Sequence, residues 1–421
     1  MASKPVAPTS YRPLDVARSV ASPGAQTRVP GHSASANRSF DALQVMRALA
    51  AGLVVYQHGF QNWAARISSQ GYPPHVELWG EYGVNLFFVI SGFIIAYTTT
   101  HLGSGWETTQ TFWRRRISRI VPLYWFFTTL LIAKGMVEGK VFAASDVINS
   151  YLFIPYVNHD VGMVRPLLGV GWSLNFEMFF YIVFGALFLL PRRWHLAAAM
   201  AAMTGLAGLR AGGWLGGEGA DSPLYHWSHG IVLYFVAGVA VSALARWLER
   251  NNLMQLPPNL AARVASLMVL IFAAGVIPLH TAAAVILMPL ACVIPVLLCV
   301  TVKNQRCGRC WQPLVKAGDA SYSTYLCHGI FLGLLWHMVR LLGLPAGHHG
   351  FAMLSLLVCT AAGCITYRFI ERPLGRVVWT GAKQRPVASS VASSVASSYR
   401  VVLQRGRPRV TVASTARPED A

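Results

Sequence analysis

The chain has 421 residues, of which 54% are hydrophobic and only 12% charged, and its mean hydropathy is +0.45. An ordinary soluble domain carries about 25% charged residues, and a single soluble core cannot hide this much apolar surface, so lipid is the expected solvent and disorder is excluded for the bulk of the chain. The formal charge of +19, from 35 Lys and Arg against 16 Asp and Glu, would suggest nucleic acid in a soluble protein; here the positions of the charges say more than their sum.

In chain order, residues 1–40 read as a disordered basic tail without the apolar core of a cleaved signal. Residues 41–376 read as one membrane domain. Residues 377–421 are a second basic tail, in which Val387-Ala388-Ser389-Ser390 is repeated twice more. A spanning helix needs about 20 mostly apolar residues. Candidates fall near 42–61, 82–101, 120–138, 171–190, 195–210, 229–247, 264–279, 282–302, 322–343 and 351–370. The expected fold is therefore all-α, a polytopic bundle of about ten transmembrane helices. The short apolar run Ser150–Tyr156 reads as interfacial.

Five of the seven cysteines lie in apolar runs, where Cys behaves as a small hydrophobe. Cys307-Gly-Arg-Cys310 has no second ligand pair beside it, so no metal centre and no disulfide framework are expected.

Basic residues orient the spans. With both termini on the cytoplasmic side, the inner segments collect 27 Lys and Arg, and the outer loops hold only Arg66, Lys140 and Arg165. The high charge thus reads as topology rather than nucleic-acid binding.

Ionisable groups inside spans are costly and are functional candidates. Arg47 and His58 are eleven residues apart, about three helical turns and about 16 Å along one face. Glu177, in Trp172-Ser173-Leu174-Asn175-Phe176-Glu177, is placed near the outer surface at the depth of His58. It reads either as the partner of a general-base histidine or as half of a structural polar pair. His328 is placed in the inner half, level with Arg47. Arg114, Arg115, Arg116 and Arg119 lie ahead of the third span, as a phosphate clamp or as ordinary positive-inside charge. The polar groups then form two layers: Arg47, the arginine cluster and His328 inside, His58 and Glu177 outside. Ser91 reads first as a packing residue.

Six segments resemble, in order, the acyltransferase 3 family of integral-membrane acyltransferases. They are Arg47-x10-His58 preceded by Asp41-Ala42-Leu43, Gly83–Phe93, Arg115–Tyr124, Trp172–Glu177, Ser321-Tyr322-Ser323-Thr324-Tyr325-Leu326-Cys327-His328, and Glu371-Arg372-Pro373. The Leu152–Tyr156 stretch is most similar to the subgroup that acetylates bacterial exopolysaccharides. Arg47-Ala48-Leu49 departs mildly from the family's usual Arg-Gly-Leu/Ala.

The resemblance implies acetyl-CoA as donor, a carbohydrate hydroxyl as acceptor, and a bacterial inner-membrane protein with both termini cytoplasmic. It maps the family's arginines onto Arg47, Arg115, Arg116 and Arg119, and the mechanism expected with that donor has Arg115, Arg116 and Arg119 hold its phosphates while Arg47 lines the thioester path. His58 is then the base and Glu177 its orienting partner. His328 orients the donor or is structural, and direct and two-step transfer both stay open. The alternative from another class is a transporter of an activated sugar or acyl group.

Overall fold

The computed structural model describes residues 40–67, 75–216, 222–253, 257, 259, 263–266, 282–301, 307–343 and 347–375. Both expected tails (apart from Phe40) and nearly all of the expected seventh span lie outside the described residues.

The protein is built from helices: α1 (Asp41–Ile67), α2 (His75–Thr99), α3 (Trp106–Val137), α4 (Ala144–Tyr151), α5 (Trp172–Ala186), α6 (His195–Ala211), α7 (Pro223–Trp227), α8 (Val232–Arg250), α9 (Ala282–Val300), α10 (Gln312–Asp319), α11 (Ser321–Leu341) and α12 (His348–Thr366). The described strands are one short antiparallel pair, Val157–Asn158 against Met163–Val164, in the loop before α5. The all-α expectation holds. Among the described residues, five segments are long and apolar enough to cross a membrane: Val76–Thr99, Trp106–Val137, Gly169–Leu189, Val232–Arg250 and His348–Gly375. α1 and α11 have spanning length, but polar side chains dilute their apolar character.

Helices in lipid gain little from hydrophobic burial against one another, so close backbone packing carries the association. The α2–α8 crossing is the clearest case. A Cβ on Gly92 would lie 2.3 Å from the carbonyl oxygen of Phe235, and one on Gly238 would lie 2.1 Å from that of Val89. Only glycine fits at either position. Around this contact, Phe235 stacks on Phe180 with ring centroids 4.3 Å apart and meets Phe88 at 4.7 Å, so one aromatic cluster joins α2, α5 and α8.

The segment between α4 and α5 is drawn into the bundle. Ser150 is fully buried. Its carbonyl accepts the Tyr124 hydroxyl at 3.0 Å, and its Oγ meets Tyr156 Oη at 2.8 Å and accepts Leu167 N–H at 2.9 Å. Phe153 takes φ 59°, a conformation that costs a bulky residue energy, and its buried ring packs 4.5 Å from Tyr124. Farther along, Asp146 accepts both the ring Nδ1–H and the backbone N–H of His159, at 2.7 and 3.1 Å. The approach to α5 is thereby fixed.

The third helix differs from expectation in its start. It begins at Trp106 rather than near 120, so Arg114–Arg119 lie within α3 and not ahead of it.

Gly238→Leu drives a branched side chain into the Val89 carbonyl. Overpacking of this kind costs about 1–3 kcal/mol or more. The expected result is a marked fall in monodisperse protein after detergent extraction, read by size-exclusion chromatography, while Leu244→Ala on the exposed face leaves the yield unchanged.

Candidate active site

Among the described residues, two cavities hold the candidate groups, one lined in part by Tyr325 and the other by His328, one turn farther along α11. The first is walled by α1, α2, α3, α5 and α11. Arg47, Arg116 and Arg119 line it, with Glu177, Ser91 and Tyr181 opposite. Arg47 is buried, and its guanidinium donates to Gln44 Oε1 at 2.9 Å. The guanidinium carbon of Arg116 lies 5.6 Å from the ring centroids of both Phe112 and Tyr181. Among the described residues no carboxylate comes within ion-pair distance of these three arginines. Three guanidiniums therefore share the lining with one carboxylate; Arg47 is buried, Arg116 half-buried and Arg119 exposed, and unpaired charge is expensive at the buried end. Asp319 ends α10 outside the spans, and burial pushes its carboxyl above the ordinary range despite the opposing pull of Arg47. The fully buried Ser321 Oγ lines the same cavity without a hydrogen-bond partner. Buried polar atoms are nearly always paired, so this hydroxyl suits a ligand.

Glu177 belongs to this cavity. Its Oε1 accepts Ser91 Oγ–H at 3.1 Å and the hydroxyl of Tyr181. The expected pairing with His58 is not formed. Tyr325, one turn into α11, donates to the carbonyl of Val170 at 3.0 Å and meets Ser173 Oγ at 2.7 Å. The first residues of α5 are thus held level with the first turns of α11. The depth expected for Glu177 took α5 to begin at the outer surface; the ordered loop before it lets the helix begin deep, and Glu177 sinks with it.

The second cavity is lined by His58, Gln61 and Asn62 of α1, Val170, and His328, Gly329 and Leu332 of α11. His58 Nδ1 lies 2.9 Å from His328 Nε2, with the two rings nearly parallel. His328 Nδ1 donates to the Tyr325 carbonyl at 2.6 Å. The arginine-level position expected for His328 is therefore corrected. Two turns along α11 carry it past Tyr325 to the far cavity, so His328 and Glu177 exchange the layers assigned to them.

The eleven-residue spacing of Arg47 and His58 does place both on the interior face of α1, one at each cavity. Of the arginine cluster, the half-buried Arg116 and the exposed Arg119 line the cavity, whereas Arg115, also exposed, does not. Ser91 is more than a packing residue, since the close approach expected of that patch is made by Gly92 and Ser91 holds Glu177. Ser321 and Tyr325 stand in a family-like segment of the sequence but had no role assigned there, and Tyr181, Gln61 and Asn62 were not picked out. Tyr181 follows Glu177 by one helical turn, a spacing that could have flagged it; Gln61 and Asn62 carried no local signal.

Such a pair of cavities, one cationic and one offering a histidine dyad, can hold an anionic donor apart from a second substrate. Residues 40–368 match the Acyl_transf_3 family, described as an acyltransferase domain, and the chain belongs to that family. It is an acyltransferase and a multi-pass membrane protein. It is 32% identical over 305 residues to the exopolysaccharide production protein ExoZ of Rhizobium meliloti, covering 70% of this chain and 90% of that one. It is 26% identical over 354 residues to the acyltransferase MdmB of Streptomyces mycarofaciens, covering 75% and 85%. The peptidoglycan O-acetyltransferase OatA of Listeria monocytogenes is 28% identical over 166 residues, 35% of this chain and 24% of its own length. No solved structure matches the chain.

Tyr325→Phe keeps the ring and removes the hydroxyl, leaving Val170 O and Ser173 Oγ without it. An unsatisfied buried group costs about 1–3 kcal/mol. The purified variant is expected to unfold several degrees below wild type in a detergent melting assay.

Proposed function

We propose that the protein transfers an acetyl group from cytoplasmic acetyl-CoA to a hydroxyl of an exported or cell-surface carbohydrate, an exopolysaccharide or a lipid-linked sugar. In this reading it sits in the bacterial inner membrane with about ten spans and both termini in the cytoplasm. The 27-to-3 distribution of basic residues supports that orientation. The observation that carries the reading is the pairing of a guanidinium-lined cavity with a histidine-lined one.

The residues present fit a polyphosphate donor. Arg47, Arg116 and Arg119 supply charge-assisted forks for phosphate oxygens, and the unpartnered Ser321 hydroxyl adds a donor. Acetyl-CoA, when bound, supplies an activated acetyl carbonyl. Tyr325 and Ser173 then line the way from the arginines to His58. On the far side, Gln61 and Asn62 carry side-chain amides suited to sugar hydroxyls. His58 takes the proton of the acceptor hydroxyl as its oxygen attacks the acetyl carbon. The new C–O bond forms, the C–S bond breaks, and the proton held by His58 passes to the departing sulfur. Glu177 keeps Ser91 and Tyr181 in place and balances the arginines in part; it does not orient His58.

Membranes bearing wild type or His58→Ala are supplied with acetyl-labelled acetyl-CoA, and label is followed into the polysaccharide and lipid-linked sugar fractions. The expected outcome is label with wild type and a loss of about 10²–10⁴-fold with His58→Ala at equal expression. CoA released without label in any carbohydrate would reject the acceptor class, and no CoA release from any acceptor would reject the donor. Arg116→Ala and Arg119→Ala are each expected to raise KM for acetyl-CoA about tenfold or more, the cost of one charge-assisted hydrogen bond, with KM for the acceptor little changed.

A further inference from the structure

The hydrogen-bond chain from Tyr325 to His58 fixes where each proton sits. The carbonyl oxygen of Tyr325 can only accept, so the His328 Nδ1 that lies 2.6 Å from it carries a proton. A second proton on His328 would make it a cation in a site where its side chain is buried. Among the described residues no carboxylate lies within ion-pair distance of either ring, and the charged neighbour of His58 is Arg165, itself a cation. A buried, unpaired charge is costly. His328 is therefore neutral, and its Nε2 is an acceptor. The only donor that His58 can offer it, across 2.9 Å, is a protonated Nδ1. The remaining nitrogen of His58, Nε2, is then unprotonated on a ring that lines the second cavity.

The geometry points to His328 as the positioning residue that holds His58 in its Nδ1–H tautomer and keeps His58 Nε2 free to accept a proton. His328 takes the place that a carboxylate holds in the better-known base–orienter pairs. A neutral orienter suits a span, because it adds no charge to be desolvated. The Cys359 thiol, 3.8 Å from the His328 carbonyl, and the Tyr325 ring, 5.9 Å from the His328 ring, complete its setting. The catalytic half of this inference rests on the acetyl-transfer reading above; the tautomer assignment does not.

The test combines a spectroscopic and a kinetic readout on the full-length protein. In lipid, with ¹⁵N-labelled histidine, the His58 signals are assigned by their disappearance in His58→Ala. The expected wild-type spectrum shows His58 with a protonated Nδ1 and an unprotonated Nε2. His328→Gln places a carbonyl oxygen near the former Nε2 and keeps that tautomer; His328→Leu removes the acceptor, and His58 reverts to the Nε2–H form. In the transfer assay, His328→Leu lowers kcat about 10²–10³-fold, with KM for acetyl-CoA within about twofold of wild type, and His328→Gln recovers activity to within about tenfold.

Protonated Nε2 in wild-type His58 would overturn the assignment. So would a His328→Gln as inactive as His328→Leu, or a rise in KM for acetyl-CoA as the main effect of either change. If wild type shows the expected tautomer but transfers no acetyl group, the acetyl-transfer reading falls and the hydrogen-bond assignment stands.

Discussion

The hydroxyl of Tyr325 is the point on which the interior depends. By donating to Val170 and meeting Ser173, it ties the first turn of α11 to the start of α5. Each such hydrogen bond contributes only about 1 kcal/mol net. Its larger effect is geometric, because the depth of α5 decides which polar groups share a cavity. With α5 deep, Glu177 meets Ser91, Tyr181 and the arginines. His328, farther along α11, is left to His58. Tyr325 also serves both cavities, lining one and holding His328 of the other with its carbonyl.

The electrostatics of the first cavity follow from this arrangement. Guanidiniums in a low-dielectric interior are tolerated when partners compensate them. Arg47 has a neutral amide as its hydrogen-bond partner, Arg116 has two aromatic rings beside it, and the single lining carboxylate is engaged by hydroxyls. Glu177, Glu371 and Asp319 act on these arginines from a distance, and among the described residues none closes a contact ion pair with them, which suits a site that receives an anion. The second cavity is neutral by comparison, with amides and imidazoles where the first has cations.

Much of this was legible in the sequence, and the failures within the site share one cause. The all-helical character follows from apolar length, although α3 starts at Trp106 rather than near 120 and five described segments have the length and apolarity of spans. The common face of Arg47 and His58 follows from eleven residues at 100° each, and that local property holds. The errors within the site concern depth. Glu177 was assigned by counting from the start of α5, yet that start is set by contacts of Ser150, Tyr156, Leu167 and Tyr325 across the fold. His328 was assigned by counting from the inner end of α11, where two turns already reach the far cavity. Arg115 and Arg116 are adjacent, and only the helix phase within the packed bundle separates the exposed one from the lining one. Such quantities are absent from any window of sequence, because they belong to pairs of helices.

The partition at Tyr325 has an evolutionary consequence. α1 contributes to both cavities, but through residues three turns apart, so change at Gln61 or Asn62 need not disturb Arg47. The residues around the second cavity can drift while the arginine wall stays as it is. Under the proposed assignment of donor and acceptor, a lineage built on this plan can acquire a new acceptor without relearning its donor, by exchanging a few side chains at one end of two helices.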